Sequence, residues 1–518
     1  MTRRATDPAI SVRLPSVAGA VRFDRLSFTK ASLLITIGMV LAGCAVGPNY
    51  IKPEPPDTQS YLRDDTLGRP LRLQNLPHDS TVAPEWWNGF QSPALDSLIK
   101  ESVANSPTLD AADAAIRVAQ FNALAQRGLF LPQVAASTSP SSQLLSNNTS
   151  LPPTSQIGYS LYTHSLTVSF VPDVWGGNFR AVENLDAVAE QQFFQLQAAH
   201  LTLTSNIAAA AIQEASLRGQ IDATRRIITI ERNLLEILRR QYNLGQIARA
   251  DVVAQEAALA VVEQSLPPLQ KQLAQQRDLL TALAGRNSAD EVSQKFELSQ
   301  FKLPRNIPIV LPAQLVERRP DIQAAAANLH AASALVGVAV AARLPNITVA
   351  ANGGSSAYKL AESFMPGTNF YTVAATATQP IFDGLTLYHK QKAAEAALDQ
   401  AKSQYRSTVI VALQNVADAL RALQFDAAAI RAAIKAEDAA KTSLDIVEQQ
   451  LKAGQVNQLA VLNAQQTLLT AAINRVQAQA NRLADTVALF MALGGGWPRD
   501  CGSSDWRRCI GNDEQDRL

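Results

Sequence analysis

The chain has 518 residues, 47 % of them hydrophobic, enough for two ordinary domains or one large elongated one. Its 46 basic and 45 acidic side chains leave a net charge of +1, which excludes a global field for nucleic acid or an anionic surface and leaves only local electrostatic roles. Aromatic residues make up 6 % while Ala and Gln are abundant, a balance that favours long, closely packed helices over aromatic-rich cores.

Residues 1–43 read as a signal peptide. Lys30 gives the positive flank, the apolar run that follows is too short to cross a bilayer as a mature helix, and Leu41-Ala42-Gly43 places small residues ahead of Cys44. Cys44 is therefore the expected lipidation site. Several acyl chains, each buried CH2 contributing about 0.8 kcal/mol, make a durable anchor. Ala45 and Val46 follow in place of the aspartate that resembles an inner-membrane retention signal, so the outer membrane is the expected destination. The flank before the apolar run is long, and Arg3-Arg4 lacks a twin-arginine context; a misplaced start codon explains both. Residues 44–92 form the expected extended N-terminal segment.

Beyond this segment the chain repeats itself, with the first copy at 93–300 and the second at 301–496. Ser106-Pro107-Thr108-Leu109-Asp110 recurs as Arg319-Pro320-Asp321-Ile322-Gln323, and Leu131-Pro132-Gln133-Val134 as Leu344-Pro345-Asn346-Ile347, both 213 positions later. Pro172-Asp173-Val174-Trp175-Gly176 matches Pro380-Ile381-Phe382-Asp383-Gly384 at a shift of 208, and Asn243-Leu244-Gly245-Gln246 matches Lys452-Ala453-Gly454-Gln455 at 209. So long a period marks a duplicated half rather than a solenoid. Each half reads helix, strand, loop, strand, very long helix, tight turn, helix. Residues 165–170 alternate Leu166, Val168 and Phe170 with Ser165, Thr167 and Ser169, and 372–378 alternate more weakly, as strands with one polar face do. The Ser-, Asn-, Gly- and Pro-rich stretches 139–162 and 353–370 are expected to be exposed loops. Such strands suit either a membrane barrel or two soluble hairpins.

Residues 181–244 contain no proline and one glycine, Gly219, so a single helix is expected to run for roughly 95 Å at 1.5 Å per residue. Ile221, Ile228, Leu235 and Tyr242 recur every seven residues, as do Ile230, Ile237 and Leu244. Two heptad seams give this helix a neighbour on each side, as in a closed ring of helices. Arg218, Arg225, Arg232 and Arg239 form a basic stripe, read as a solvated face or a docking surface. Pro267-Pro268 predicts a kink or break in the following helix, with no counterpart in the second half. The polar tail, 497–518, holds Cys501 and Cys509, whose C-x7-C spacing permits a disulfide without requiring one.

Several segments together resemble the TolC-like outer-membrane efflux proteins, in particular the NodT-type lipoproteins that serve resistance-nodulation-division (RND) pumps. They are Cys44-Ala45-Val46-Gly47-Pro48-Asn49-Tyr50, Trp86-Trp87-Asn88-Gly89-Phe90, Leu311-Pro312 with Val316-Glu317-Arg318-Arg319-Pro320-Asp321-Ile322, Leu451-Lys452-Ala453-Gly454, Val461-Leu462-Asn463-Ala464-Gln465 and Ala492-Leu493-Gly494-Gly495-Gly496-Trp497. The resemblance covers nearly the whole mature chain and implies a mainly α fold with a small β part. It implies a homotrimer in which four strands per chain close a 12-stranded transmembrane β-barrel, continued by a long α-helical barrel that meets a periplasmic adaptor protein. By the same resemblance Leu244, Gly245, Gln246, Ala453, Gly454 and Gln455 are adaptor-docking tips, and Leu459 and Asn463, one turn apart, constrict the tunnel mouth. Aspartate is common at the second position; Asn463 offers neutral amides and a less cation-selective gate. Asp251 matches a position that latches the closed tip, although Leu451 and Val456 stand where its usual basic or tyrosine partners would be, and Ala326 replaces a glutamate usual in the family.

No P-loop, dinucleotide fingerprint, metal-spaced His/Cys cluster or nucleophile elbow occurs, so an enzyme is not expected. Five histidines and four methionines also argue against a soft-metal relay, and no cofactor is expected beyond the lipid on Cys44. The expected partners are two further copies of the chain, an adaptor, an inner-membrane RND transporter and outer-membrane lipid. An outer-membrane duct for small-molecule efflux is the leading reading. A duct for ABC-driven protein secretion and a non-transporting periplasmic spacer are the alternatives.

Overall fold

A computed structural model describes residues 45–54, 61, 83–145, 157–304, 315 and 318–495. Cys44, the signal segment, Leu311-Pro312 and the tail with Cys501 and Cys509 lie outside the described residues. Two short helices, α1 (Pro93–Ala104) and α2 (Pro107–Arg127), lead into strands β1 (Gln133–Leu145) and β2 (Ile157–Phe170) and then into α3 (Gly177–Asn243) and α4 (Arg249–Leu283). The second half follows the same order, with α5 (Pro320–Ala341), β3 (Asn346–Ala357), β4 (Asn369–Thr378), α6 (Thr386–Lys452) and α7 (Gln458–Ala492). Each of α3 and α6 has 67 residues and each of α4 and α7 has 35. At 1.5 Å per residue the long helices extend roughly 100 Å.

α1 and α2 start alike. Ser92 and Ser106 accept hydrogen bonds from the backbone N–H three residues on, and a proline follows at the first helical position, where its missing donor costs nothing. The largest core cluster joins the N-terminal segment to both halves. Trp86, Trp87 and Phe90 pack with Leu95 and Leu98 of α1, Ile207 and Ile212 of α3, Leu420 of α6 and Leu483 and Phe490 of α7. Trp86 stacks on Phe490 at 5.3 Å, and the Trp87 indole donates to Asp96 at 3.1 Å. The guanidinium of Arg319 donates to the terminal carbonyl of α7 at Ala492, 2.9 Å away, and to Asp321, so the Arg-Pro-Asp segment ties the start of α5 to the end of α7.

The four strands make one antiparallel sheet in the order β1-β2-β3-β4, with Gln133 opposite Ser169 and Asn346 opposite Thr378. Much of the two stretches expected to be loops is strand. Polar side chains there lie opposite one another across the ladder: Ser142 faces Ser160, Ser355 faces Asn369, and the Tyr159 hydroxyl donates to Gln143 at 2.9 Å. A serine-rich strand face satisfies itself by such cross-strand pairs, and composition alone reads it as loop. Pro140 sits in β1, an edge strand, where a missing donor is tolerated.

The expected long helix is present, and its seams differ. The first is buried at Ile221, Ile228 and Leu235 and exposed at Tyr242, whereas the second is exposed at Ile237 and Leu244. Much of the arginine stripe is a solvated face, with Arg225, Arg232 and Arg239 exposed; Arg232 pairs with Glu263 and Arg239 with Glu256, both on α4, and Arg218 pairs with the buried Glu214. Of the kink or break expected at Pro267-Pro268, the break is absent: α4 runs through both prolines. The carbonyls that lose their donors are those of Glu263 and Gln264, on a stretch where Gln264 and both prolines are exposed and water can take the donors' place. Among the described residues one helix, α5, is long and apolar enough to cross a membrane. Its Ile322, Ala326 and Leu329 are instead buried, and the first two pack on Tyr405, Val409 and Ala412 of α6. A glutamate in place of Ala326 would enter that apolar cluster.

Candidate functional site

The two helix-turn-helix tips are built alike. Gly245 and Gly454 adopt φ of 70° and 71°, a left-handed conformation that only glycine enters freely, and each ends a long helix. Gln246 N–H donates to Gln241 at 2.9 Å, and Gln455 N–H donates to Gln450 at 2.9 Å, closing the same terminal turn twice. Leu244, Gln246, Ala453 and Gln455 are exposed, and a Cβ on either glycine would meet nothing.

Between the tips, α3, α4, α6 and α7 line a groove of ≈ 670 Å³. Its walls carry Ile230, Leu234, Ile237 and Val461, while Asp251, Glu448 and Lys452 supply charge. Asp251, Leu451 and Val456 all line this groove, so the structure brings the expected latch position together with the apolar residues that replace its partners. Leu459 and Asn463 lie elsewhere, on the exposed face of α7, opposite the buried Val461, Ala464 and Gln465.

A polar link that the motifs did not reveal bridges the two hairpins. The Gln255 amide on α4 donates to the carboxylate and the carbonyl of Glu231 on α3, and Gln458 on α7 donates to the Gln255 Oε1 at 3.1 Å. All three side chains are buried, as is Gln465, and neither the Gln465 amide atoms nor Gln458 Oε1 has a partner. Burial pushes the Glu231 carboxyl above the usual carboxylate range, and the Gln255 hydrogen bond pulls it part of the way back. The available signal was position: Glu231 falls between the seam residues Ile228 and Leu235, a charge where the heptad asks for an apolar side chain.

A second carboxyl group is perturbed farther along the helices. Asp426 on α6 is hydrogen-bonded to Asp485 on α7, a contact that requires a shared proton; burial and then Asp485 push Asp426 up to about 6 against the pull of Arg482. A carboxyl whose pKa folding raises adds stability below its unfolded value and loses it as pH rises through about 6. Asp426→Asn is therefore expected to raise stability at pH 8 by about 1 kcal/mol after solvent screening, and to leave it unchanged near pH 4. Thermal denaturation of the purified chain across that range checks this.

At the opposite end, residues just after Cys44 are built into the junction of sheet and helices. Val46 N–H donates to the Trp175 carbonyl at 3.1 Å, Arg180 donates to Val46 and to Asn49, and Tyr50 stacks on His330 at 4.4 Å. Gly47 meets Gly337 so closely that a Cβ on Gly47 would lie 2.4 Å from the Gly337 Cα.

Paired long helical hairpins carrying matched glycine tips at one end and a small antiparallel sheet at the other define the class of bacterial outer-membrane channels. The chain belongs to the outer membrane efflux protein family, whose profile matches residues 98–286 and 311–495. It is 30 % identical over 419 residues to the pyoverdine export outer membrane protein OpmQ of Pseudomonas putida, spanning 80 % of this chain and 88 % of that one. The toluene efflux pump outer membrane protein TtgF of Pseudomonas putida is 26 % identical over 90 % of this chain and 96 % of its own length. Among solved structures, VceC of Vibrio cholerae superposes with a TM-score of 0.74 at 26 % identity, covering 81 % of this chain and all of that one. The CmeC outer membrane channel of Campylobacter jejuni shares the fold, with a TM-score of 0.82 at 20 % identity over 90 % of this chain and 98 % of its own.

Proposed function

We propose that three copies of this chain form the outer-membrane exit duct of a tripartite efflux system, receiving small molecules from an inner-membrane RND pump through a periplasmic adaptor. The observation that carries the reading is an unfinished repeat. α3 is covered by α2, α4, α5 and α7, whereas α6 has only α5 and α7 as its principal neighbours. No residue of α6 before Ala401 is buried, while in the first half of the chain α3 is covered from its start. α2 meanwhile exposes Val118, Phe121 and Leu124. The contact that α5 makes on α3 within the chain is then repeated by α2 of the next copy on α6. This is a heterologous contact, which generates a ring when its rotation closes. The sheet asks for the same closure, because β1 and β4 are bare edges that no membrane-spanning strand can leave open.

In this reading the two chain halves are tandem structural repeats and twelve strands close the barrel. Cys44 carries the lipid, and the seating of Val46 to Tyr50 fixes the anchor beside the barrel. Leu244 to Gln246 and Ala453 to Gln455 meet the adaptor, and Leu459 and Asn463 ring the periplasmic mouth. The direct test is in-cell photocrosslinking from Gln246 and Gln455 with mass-spectrometric identification of the captured protein. An adaptor belonging to an RND pump is the expected catch; an ABC exporter's fusion partner would move the function to protein secretion, and capture from neither tip would remove the docking assignment.

A further inference from the structure

We infer that the duct formed by three copies of this chain is walled by neutral side chains along α7 and through the barrel, so that hydrophilic solutes carrying carboxylate or phosphate charge pass as readily as cationic ones. This rests on the duct reading and names the class of solute the duct admits. The free face of α7 carries Asn463, Gln466, Thr470, Asn474, Gln477 and Asn481, all exposed and none ionisable. The helix has 35 residues, roughly 50 Å of wall, and just three of them are charged. All three are engaged with α6: Arg475 pairs with Glu437, Arg482 donates to the Leu423 carbonyl at 2.8 Å, and Asp485 shares a proton with Asp426.

The first half of the chain repeats the pattern. At the shift of 209 that relates the two tips, the α7 row falls on Ala254, Ala257, Val261, Ser265 and Gln272 of α4, all exposed and uncharged. Glu256 and Glu263 of the same helix turn to arginines of α3. Its exposed Lys271 and Asp278 stand about a quarter-turn round the helix from that row.

The sheet supplies an independent observation. None of the four strands contains an Asp, Glu, Lys or Arg. Thr167, Asn352 and Thr372 form one row across β2, β3 and β4, on the face opposite Leu166, Val168 and Phe170. In a barrel the apolar face meets lipid, so this uncharged polar face lines the interior.

Rings of carboxylates draw cations into a narrow path and repel anions, and an enclosed path focuses their field. Amides and hydroxyls both donate and accept hydrogen bonds, so they can replace water around a solute of either sign. A wall made of them sorts solutes by size and leaves charge undiscriminated.

The test compares two thiol reagents of similar size and opposite charge, sulfonatoethyl and trimethylammonioethyl methanethiosulfonate, on the full chain in detergent. Labelling of Asn474→Cys is followed by mass spectrometry of its peptide, and each reagent's rate is divided by its rate at Gln455→Cys on the exposed tip. A local potential speeds one reagent and slows the other, whereas a change in thiol acidity cancels in their ratio. At low salt the ratio is expected to lie within about twofold of unity, where an acid-lined path would favour the cation by roughly tenfold or more. Thr470→Asp, one turn away, is the control: three carboxylates facing one enclosed space should swing the ratio at 474 towards the cation by roughly tenfold. A native ratio favouring the cation tenfold would overturn the neutral wall. Failure of both reagents to reach 474, or no swing in Thr470→Asp, would overturn its place in an enclosed path. Light scattering of the same sample separates these failures from loss of the duct reading, which would show as one copy per particle.

Discussion

Val118→Asp combined with Phe121→Asp is expected to leave the chain folded and to abolish its assembly. Both side chains belong to α2 and are exposed in the single chain, at 61 % and 62 %. Their replacement therefore removes little from the chain's own core, whose α2 contribution is Ile116, Ala119 and Ala123 on the opposite side. In the proposed ring the same face meets α6 of the next copy, where the exposed side chains of Ala393, Ala396 and Ala397 have no group to pair with a carboxylate. Each uncompensated buried charge costs about 3–5 kcal/mol. A ring of three would bear that cost at every interface. Light scattering of the detergent-solubilised protein should change from three copies per particle to one, with helical circular dichroism retained. A variant that still assembles as three would mean that α2 does not cover α6. As α2 precedes the strands, the same variant should also lose heat-resistant oligomers on gels, since open edges of β1 and β4 cannot close one copy at a time.

What the amino-acid sequence disclosed follows the range of the interactions concerned. The long helix read from 181–244 is found at Gly177–Asn243, because an uninterrupted run of helix-compatible residues and a terminal glycine are local signals. The tips were legible for the same reason: Gly245 and Gly454 are required by φ, whatever surrounds them. Strand ends were not, since Ser139, Ser141 and Ser142 look like loop until their partners on β2 are known. Pro267 and Pro268 misled in the other direction, because their cost depends on whether the freed carbonyls reach water, and exposure is a property of the fold. The polar link of Glu231, Gln255 and Gln458 was the least legible. Glu231 and Gln255 are 24 positions apart and Gln255 and Gln458 are 203 apart, so no local spacing brings them together. The resemblance pointed to Asp251, and the structure puts a different polar bridge one helical turn farther along α4.

Cysteines introduced at Leu459 and Asn463 should close the duct when oxidised and restore it when reduced. Leu459 is 60 % exposed, and Asn463 is exposed one turn on, while the opposite face of α7 is committed to its own chain through Val461, Ala464 and Leu469. In the proposed ring this free face of α7 is the one turned to the enclosed space, and side chains one turn apart share that outlook. In the proposed trimer the same two positions would approach from each copy around the threefold axis, so a disulfide there would tie the inner hairpins together. Hinge or slide motions of the hairpins operate on energies of a few kcal/mol, whereas a covalent link must be broken to yield. Export in a strain carrying the paired variant is expected to fall to the level of a deletion strain under oxidising conditions and to recover on addition of a reductant, with the single Leu459→Ala variant exporting throughout. Export that persisted while non-reducing gels confirmed complete cross-linking would show that the passage does not run between these residues. A block that reductant failed to relieve would indicate that the substitutions had damaged α7 packing rather than locked an opening.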